Sequence, residues 1–287
     1  MRLIQAKGSG RRDNLEQARQ SPRAASSAPK YDGRMAQPQC FVGCCGWTEA
    51  QARYVVDFPA IELQTTFYQP PTDAVAERWR SQAPPGFRFC MKAWQLITHT
   101  PSSPTYRRLK SGISATERDL YGSFQPTDQV WLAWERTREI AEILQADAVV
   151  FQCPKSFLPT RRNTGNLTRF FHQIERDNRI LAWEPRGDDW RPELIRDICA
   201  ANNLVHCVDP FQSDSVFGDS LYWRLHGRTG YRYQYTDEDL IELRAKLHAR
   251  ADLAGPKYIM FNNIYSRQDA QRFQRQSASE TTPAARG

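Results

Sequence analysis

Eight short apolar segments recur along the chain, and this repetition constrains the fold more than any other feature of the sequence. Each segment is β-rich and most end in a polar residue, Gly or Pro, which is typical of strands. The predicted strands span 40–45, 60–67, 88–94, 148–153, 180–186, 204–209, 220–226 and 257–262. Amphipathic patterns between them predict helices over 72–82, 130–145, 166–177, 192–201, 237–250 and 266–275. This alternation predicts an α/β protein with a TIM-like (β/α)8 barrel.

Two connections depart from the regular pattern. Residues 95–129 form a long insertion after the third strand, and residues 210–219 after the sixth strand are too few for a full helix. Because loops that follow barrel strands meet at the C-terminal mouth, we expect the insertion to lie over that mouth. It should bury His99 or Tyr106 near a site there.

The barrel is predicted to occupy residues 40–276. Residues 1–39 are polar and basic without an apolar period, so they are predicted to be a disordered N-terminal extension, and residues 277–287 a disordered tail. Most of the formal net charge of +7 lies in that extension, which leaves nucleic acid as a secondary candidate partner. No stretch reaches the ~18–20 apolar residues of a membrane span, so the chain is expected to be cytoplasmic without membrane contact. The oligomeric state is left open.

Strand alternation places charged side chains inside the predicted barrel. In the second strand, Ile61 and Leu63 should face the helices, so Glu62 points inward. The same alternation assigns to the interior Gln64, Arg88, Lys92, Gln152, Glu184, Arg186, Arg224, His226 and Asn262. Barrel interiors are usually filled with Val, Ile and Leu, and buried charges are costly unless they are paired. The pattern therefore predicts a solvated functional cavity, with a structural network of buried ion pairs as the alternative.

The interior charges favour a small polar or anionic ligand, because the cations outnumber the carboxylates and match carboxylate or phosphate groups. The predicted catalytic residues are Glu62, Lys92, Glu184 and His226, with Glu184 as general base or ligand anchor and Glu62 as proton donor if it is the more buried of the two. The predicted substrate-binding residues within the strands and the insertion are His99, Gln152, Arg186, Arg224 and Asn262. An enzyme of hydrolase or isomerase type is the leading interpretation.

No cofactor is predicted, since the sequence contains no GxGxxG, GxxxxGK[ST] or GxSxG motif. A divalent metal is kept as an alternative. Its candidate ligands are Glu62, His99, Glu184, Asp209 and His226. The abundant inward cations argue against it. The seven cysteines, an odd number without C-x-x-C pairs, are expected to be reduced thiols.

Ordered motifs point to a known family. They include GCCGW at 43–47, IELQTTFY at 61–68, ITH at 97–99, FQCP at 151–154, EPR at 184–186, RLHG at 224–227 and FNN at 261–263. In this order they resemble the YecE-like family, domain of unknown function 72. The resemblance implies a TIM-like barrel without implying a particular activity. Its motifs also imply Trp47 and Tyr68 as ligand-binding residues.

Two other functions remain open at this point. A nucleic-acid-associated protein would use the basic residues of the insertion, Arg107, Arg108, Lys110 and Arg118, to bind phosphates. A ligand-binding barrel without catalysis would use the same interior residues as the enzyme, and only turnover would separate the two.

Overall fold

The eight predicted strands form one parallel sheet in the computed structural model, which describes residues 39–280 and side chains up to residue 276. The strands are β1 (Cys40–Cys45), β2 (Ala60–Leu63), β3 (Arg88–Lys92), β4 (Ala148–Gln152), β5 (Ile180–Glu184), β6 (Val205–His206), β7 (Leu221–Leu225) and β8 (Lys257–Phe261). Their order is β6-β5-β4-β3-β2-β1-β8-β7, which confirms a nearly closed TIM-like barrel.

Nine helices accompany the strands in the described residues. They are α1 (Gln51–Asp57), α2 (Thr65–Tyr68), α3 (Asp73–Gln82), α4 (Gln95–Thr98), α5 (Asp128–Leu144), α6 (Arg161–Gln173), α7 (Pro192–Asn202), α8 (Asp237–His248) and α9 (Ser266–Glu280). Two 3₁₀ helices, Pro104–Arg108 and Ala115–Leu120, lie in the insertion. The second predicted strand is shorter than expected, because its last residues turn into α2.

Two predicted helices have bounds that differ from the structure by several residues. α6 begins five residues before the predicted start, because the Thr160 hydroxyl accepts the N–H of Asn163 and caps the helix there. α9 continues to Glu280, four residues into the predicted tail, since no Gly or Pro interrupts the chain before Pro283. The predicted extension, apart from residue 39, and residues 281–287 lie outside the described residues.

The barrel closes weakly between β6 and β7. In the described part of the chain these strands are joined by one isolated bridge, between Val208 and Trp223. The N–H of Arg224 donates to the Val208 oxygen at 2.9 Å. Residues 207–220, all of them described, contain no helix, which confirms the reduced connection after the sixth strand and leaves space outside β6.

The lower half of the barrel interior is apolar. Tyr258 stacks on Phe41 with ring centroids 5.4 Å apart and on Tyr222 at 5.6 Å. The other buried residues of this inner cluster include Ala60, Cys90, Ala148, Val150, Ala182, Val205, Cys207 and Met260. These side chains fill the end from which the strands start. Arg88, at the start of β3, lies beside this plug with its guanidinium 5.1 Å from the Phe41 ring centre, whereas the charges of Glu62, Lys92, Glu184 and Arg224 lie above it, toward the C-terminal ends of the strands.

Candidate functional site

Arg224 on β7 is the centre of the charged layer. Its side chain is fully buried, and its Nε and Nη2 donate to the carboxylate of Glu62 on β2 at 3.0 and 2.9 Å. Its Nη1 donates to Gln152 Oε1 on β4 at 3.1 Å and to the carboxylate of Glu184 on β5. A single guanidinium thus connects four strands, and the two carboxylates raise the pKa of Arg224 against the opposing effect of burial.

Glu62 accepts hydrogen bonds from the side chains of Arg224, Tyr222 and Gln64. Besides Arg224, the hydroxyl of Tyr222 donates to its Oε2 at 2.9 Å and the amide of Gln64 donates to its Oε1. Its side chain is fully buried. These groups all donate to the carboxylate of Glu62, and its expected role as proton donor stays a prediction.

Lys92 lies beside this network. Its Nζ donates to Gln152 Oε1 at 2.9 Å and lies 3.9 Å from the centre of the Phe67 ring. Burial, and then the positive charge of Arg224, lower the pKa of Lys92 to about 7. Its ammonium can therefore exchange a proton near neutral pH, although Lys92 is buried and lies outside the walls of the cavity described below.

The insertion packs on the C-terminal side of β2 and β3, where it was expected. The buried His99 ring contacts the Phe67 ring edge-on at 4.8 Å, and the Tyr106 hydroxyl donates to the His99 carbonyl at 2.8 Å. Burial, followed by the charges of Lys92 and Arg186, lowers the pKa of His99 to about 3. His99 is therefore neutral at physiological pH.

The other side of the mouth contains a cavity of about 1080 Å³. It lies at the C-terminal ends of β5, β6 and β7, next to the connection that has no helix. Its walls include Glu184, Arg186, His206, Asp209 and His226. The insertion thus covers one half of the charged layer, and the other half faces open space.

His226 has a defined tautomer in this cavity. The side-chain oxygen Oδ2 of Asp209 accepts the His226 backbone N–H at 2.8 Å and lies 3.5 Å from Nδ1 of the ring. The Nη2 of Arg186 lies 3.1 Å from Nε2. A guanidinium nitrogen only donates, so Nε2 accepts and the ring proton is on Nδ1, facing Asp209. His226 thereby presents a basic nitrogen at the cavity wall.

Glu184 holds Arg186 in place. The Nε and Nη2 of Arg186 donate to its Oε1 at 2.9 and 2.8 Å. Burial alone would raise the pKa of Glu184, but the charges of Arg224 and Arg186 outweigh it and lower the pKa to about 2. Both carboxylate oxygens are engaged by guanidinium groups, so Glu184 is better placed to anchor Arg186 than to act as the expected general base.

The structure does not bring every predicted residue into this cluster. Gly46, with φ +97°, turns the chain after β1, and the Trp47 ring packs against Tyr54 at 5.2 Å in the layer between sheet and helices. This placement is a correction to its expected position at the site. Tyr68 lies at the insertion with the Arg108 guanidinium 3.5 Å from its ring centre. Asn262 follows β8 and is half-buried.

The structure also describes the residues named for nucleic-acid binding and for a divalent metal. Arg107, Arg108, Lys110 and Arg118 are all exposed, and Arg118 donates to the Pro101 carbonyl at 3.1 Å. Within residues 39–280, no three His, Cys, Asp or Glu side chains are grouped so that they could hold a metal ion. No helix in this range is both long enough and apolar enough to cross a bilayer.

Sequence analysis missed two residues of the cavity. His206 is not predicted at all, and Asp209 is predicted only as a metal ligand. His206 lies within the run at 204–208 and Asp209 follows it directly; nearly every other residue of the run is apolar, so no alternation is visible. Asp209 had one usable signal, since it is an acidic residue at the end of a predicted strand.

Glu184→Gln is expected to lower the free energy of unfolding at pH 7 by about 3 kcal/mol, the equivalent of a pKa change from 4.5 to about 2. The depressed pKa makes this stabilisation complete above about pH 4.5, and it is lost as the pH falls toward 2. Denaturant unfolding of both proteins between pH 7 and 2.5 should therefore show curves that converge in acid. Parallel curves would contradict the ion pairing.

Comparison with known proteins identifies the family. The model of the family "Protein of unknown function DUF72" matches residues 41–286. No curated protein sequence matches the chain. A DUF72 family protein from Enterococcus faecalis is similar in structure, with a TM-score of 0.65 and 19% identity, over 84% of this chain and 98% of that one. A DUF72 family protein from Thermotoga maritima gives 0.59 and 20%, over 84% and 99%.

A more distant structure shares the architecture alone. A xylose isomerase domain containing protein from Salmonella typhimurium has a TM-score of 0.53 and 13% identity, over 86% of this chain and 98% of that one. At this identity the likeness concerns the barrel fold and not the chemistry. Since the family model covers most of the chain and agrees with the YecE-like motifs, the chain belongs to the DUF72 family.

Proposed function

We propose that the protein is an enzyme that binds a small anionic substrate in the cavity at the ends of β5, β6 and β7 and transfers a proton through His226. One observation carries the proposal. The ring of His226, oriented by Asp209, presents an accepting Nε2 at the cavity wall beside the cationic Arg186. A base next to an anion-binding group is the arrangement that proton abstraction from an acid or ester requires.

Arg186 is the substrate anchor in this proposal. Its side chain is 35% exposed, and its Nη1 makes no hydrogen bond within the described residues. The bond to Glu184 fixes the guanidinium plane, so a carboxylate or phosphate can pair with the remaining N–H groups. An anion there would compete with His226 for Nη2 and release Nε2 for the substrate proton.

The proton transfer itself needs only groups in the cavity wall. Nε2 takes a proton from the substrate, and the resulting imidazolium lies between Asp209, 3.5 Å from Nδ1, and Glu184, 4.0 Å from Nε2. Returning the proton to another atom of the substrate gives an isomerisation, whereas activating a water gives a hydrolysis. Lys92 and Arg224 lie behind the wall and supply positive potential.

The proposal is tested by measuring binding and turnover with a panel of small carboxylates and phosphate esters. Arg186→Gln is expected to weaken binding of any ligand found by tenfold or more, because the charge that pairs with the anion is lost. Arg196→Gln is the matched control, since Arg196 is exposed on α7 and does not line the cavity.

Two results would contradict the enzyme. Binding without turnover of any bound compound would favour a ligand-binding barrel. Salt-dependent binding of oligonucleotides that is lost when Arg107, Arg108, Lys110 and Arg118 are neutralised would favour the nucleic-acid alternative, provided that Arg186→Gln has no effect on it.

A further inference from the structure

A second histidine, His206, lies in the wall of the same cavity. It stands on β6, and only 4% of its surface is exposed. Its Nδ1 accepts the backbone N–H of Val216 at 3.3 Å, and its carbonyl accepts the hydroxyl of Ser215 at 3.1 Å. The connection that replaces a helix after β6 therefore holds this side chain.

The hydrogen bond from Val216 fixes the tautomer of His206. A backbone N–H only donates, so Nδ1 is the acceptor and the proton of the neutral ring is on Nε2. Within the described residues Nε2 has no hydrogen-bond partner, although the ring is almost completely buried. Nε2 itself is open to the cavity, so a ligand or a water there can accept a hydrogen bond from it.

The ring stays neutral over the physiological range. Burial lowers the pKa of His206 to about 4, against the opposing effect of Glu184. The other titratable groups of the cavity wall include Arg186, Asp209, Asp214 and His226. His206 is thus a donor at Nε2 at neutral pH, whereas His226 across the cavity is an acceptor at its own Nε2.

We propose that His206 is a fixed hydrogen-bond donor that recognises a second acceptor oxygen of the ligand, in addition to the anionic group at Arg186. The inference rests on the proposed function, because it assumes that a ligand of this cavity pairs with Arg186. It narrows the substrate class to small oxyanions with a further hydroxyl or carbonyl oxygen. Hydroxy or keto carboxylates and phosphate esters share this chemistry.

The position of β6 supports this division of roles. β6 lies next to β5, with His206 paired to Trp183, the residue before Glu184. A ligand anchored on Arg186 after β5 and reached by His226 after β7 lies in the same cavity that His206 lines from β6. An unpaired N–H at that wall would cost binding energy unless the ligand supplies an acceptor.

Two variants of His206 separate recognition from structure. In His206→Asn the amide oxygen can replace Nδ1 and keep the bond to Val216, but the donor at Nε2 is lost. In His206→Gln an amide nitrogen reaches the Nε2 position, but the bond to Val216 is lost. We expect the Asn variant to retain thermal stability and the Gln variant to retain the donor.

The probes are glycolate, acetate and inorganic phosphate, titrated by calorimetry. The wild-type protein should bind glycolate about fivefold to tenfold more tightly than acetate, the equivalent of one hydrogen bond. His206→Asn should abolish this preference and His206→Gln should keep it. The phosphate arm shows whether the shared oxyanion chemistry comes from a phosphate or a carboxylate.

Several outcomes overturn the inference. An unchanged glycolate preference in His206→Asn, or no binding of any of the three probes, would do so. The two proposals fail separately. If Arg186→Gln leaves probe binding unchanged, Arg186 does not anchor the ligand. If Arg186→Gln weakens binding but His206→Asn leaves the glycolate preference unchanged, His206 is not the donor. Independently, ¹⁵N shifts of the imidazole must show the proton of His206 on Nε2, and the opposite tautomer would exclude the donor role.

Discussion

Replacing Arg224 by Leu is expected to lower the free energy of unfolding by about 3–5 kcal/mol. The substitution leaves the carboxylates of Glu62 and Glu184 buried without their shared cation. It also removes the bond to Gln152 and with it a connection between four strands. The measurement is urea unfolding at pH 7 with two independent probes.

Acidification separates this effect from a simple loss of packing. Burial raises the pKa of Glu184 and the charge of Arg224 lowers it, so in Arg224→Leu this carboxyl should bind a proton at higher pH than in the wild-type protein, and the deficit should shrink as the pH falls below 7. Arg88→Leu is the control, because Arg88 pairs with Asp147 at 3.4 Å while its side chain is 38% exposed, and such pairs contribute about 1 kcal/mol or less. A deficit for Arg224→Leu as small as that of the control would show that the network is not stabilising.

His226→Asn is expected to lower turnover by roughly 10²- to 10⁴-fold, the usual contribution of a positioned acid–base group. The amide N–H of Asn can occupy the place of Nδ1–H and keep the contact with Asp209, so the cavity should remain intact. The accepting Nε2 is lost, and with it the base. Ligand binding should change much less than turnover, because Arg186 remains bonded to Glu184.

The matched control is His248→Asn. His248 is exposed at the end of α8, which leads to the N-terminal end of β8 and thus to the opposite face of the barrel. Its replacement should leave turnover unchanged. Equal losses of binding and turnover in His226→Asn would mean that the residue anchors the ligand, and the proposed base would have to be sought elsewhere.

Strand alternation was sufficient to place the charged residues inside the barrel, but it favoured a solvated cavity over the buried ion-pair network that Glu62, Glu184 and Arg224 form. Glu62 and Arg224 are 162 residues apart, yet each was assigned to the interior from its own strand alone. Once the fold is a closed barrel, inward positions near the strand ends must converge. The pairing of charges then follows, because each buried guanidinium needs a carboxylate.

The chemical roles could not be predicted in the same way. Alternation cannot show that four donor atoms surround Glu62, or that Glu184 is neutralised from both sides, since these contacts depend on side-chain conformation. The position of Trp47 could not be predicted, because Gly46 before it has a left-handed backbone conformation and turns the chain. His206 could not be predicted, because β6 has only two residues and the residues around His206 are all apolar. The sequence there shows no alternation of polar and apolar residues.

The weak closure between β6 and β7 has a consequence for motion. Segments with few backbone hydrogen bonds open at the lowest free energy, and here one bridge joins the two strands within the described chain. Arg224 spans this junction from β7 to β5, so side chains complete a closure that the backbone leaves weak. A ligand held between Arg186 and His226 would tie the same two sides together. Occupancy of the cavity should therefore slow the amide hydrogen exchange of β6 and β7 more than that of β1 and β8. Exchange at the junction between β6 and β7 would then report whether the site is filled.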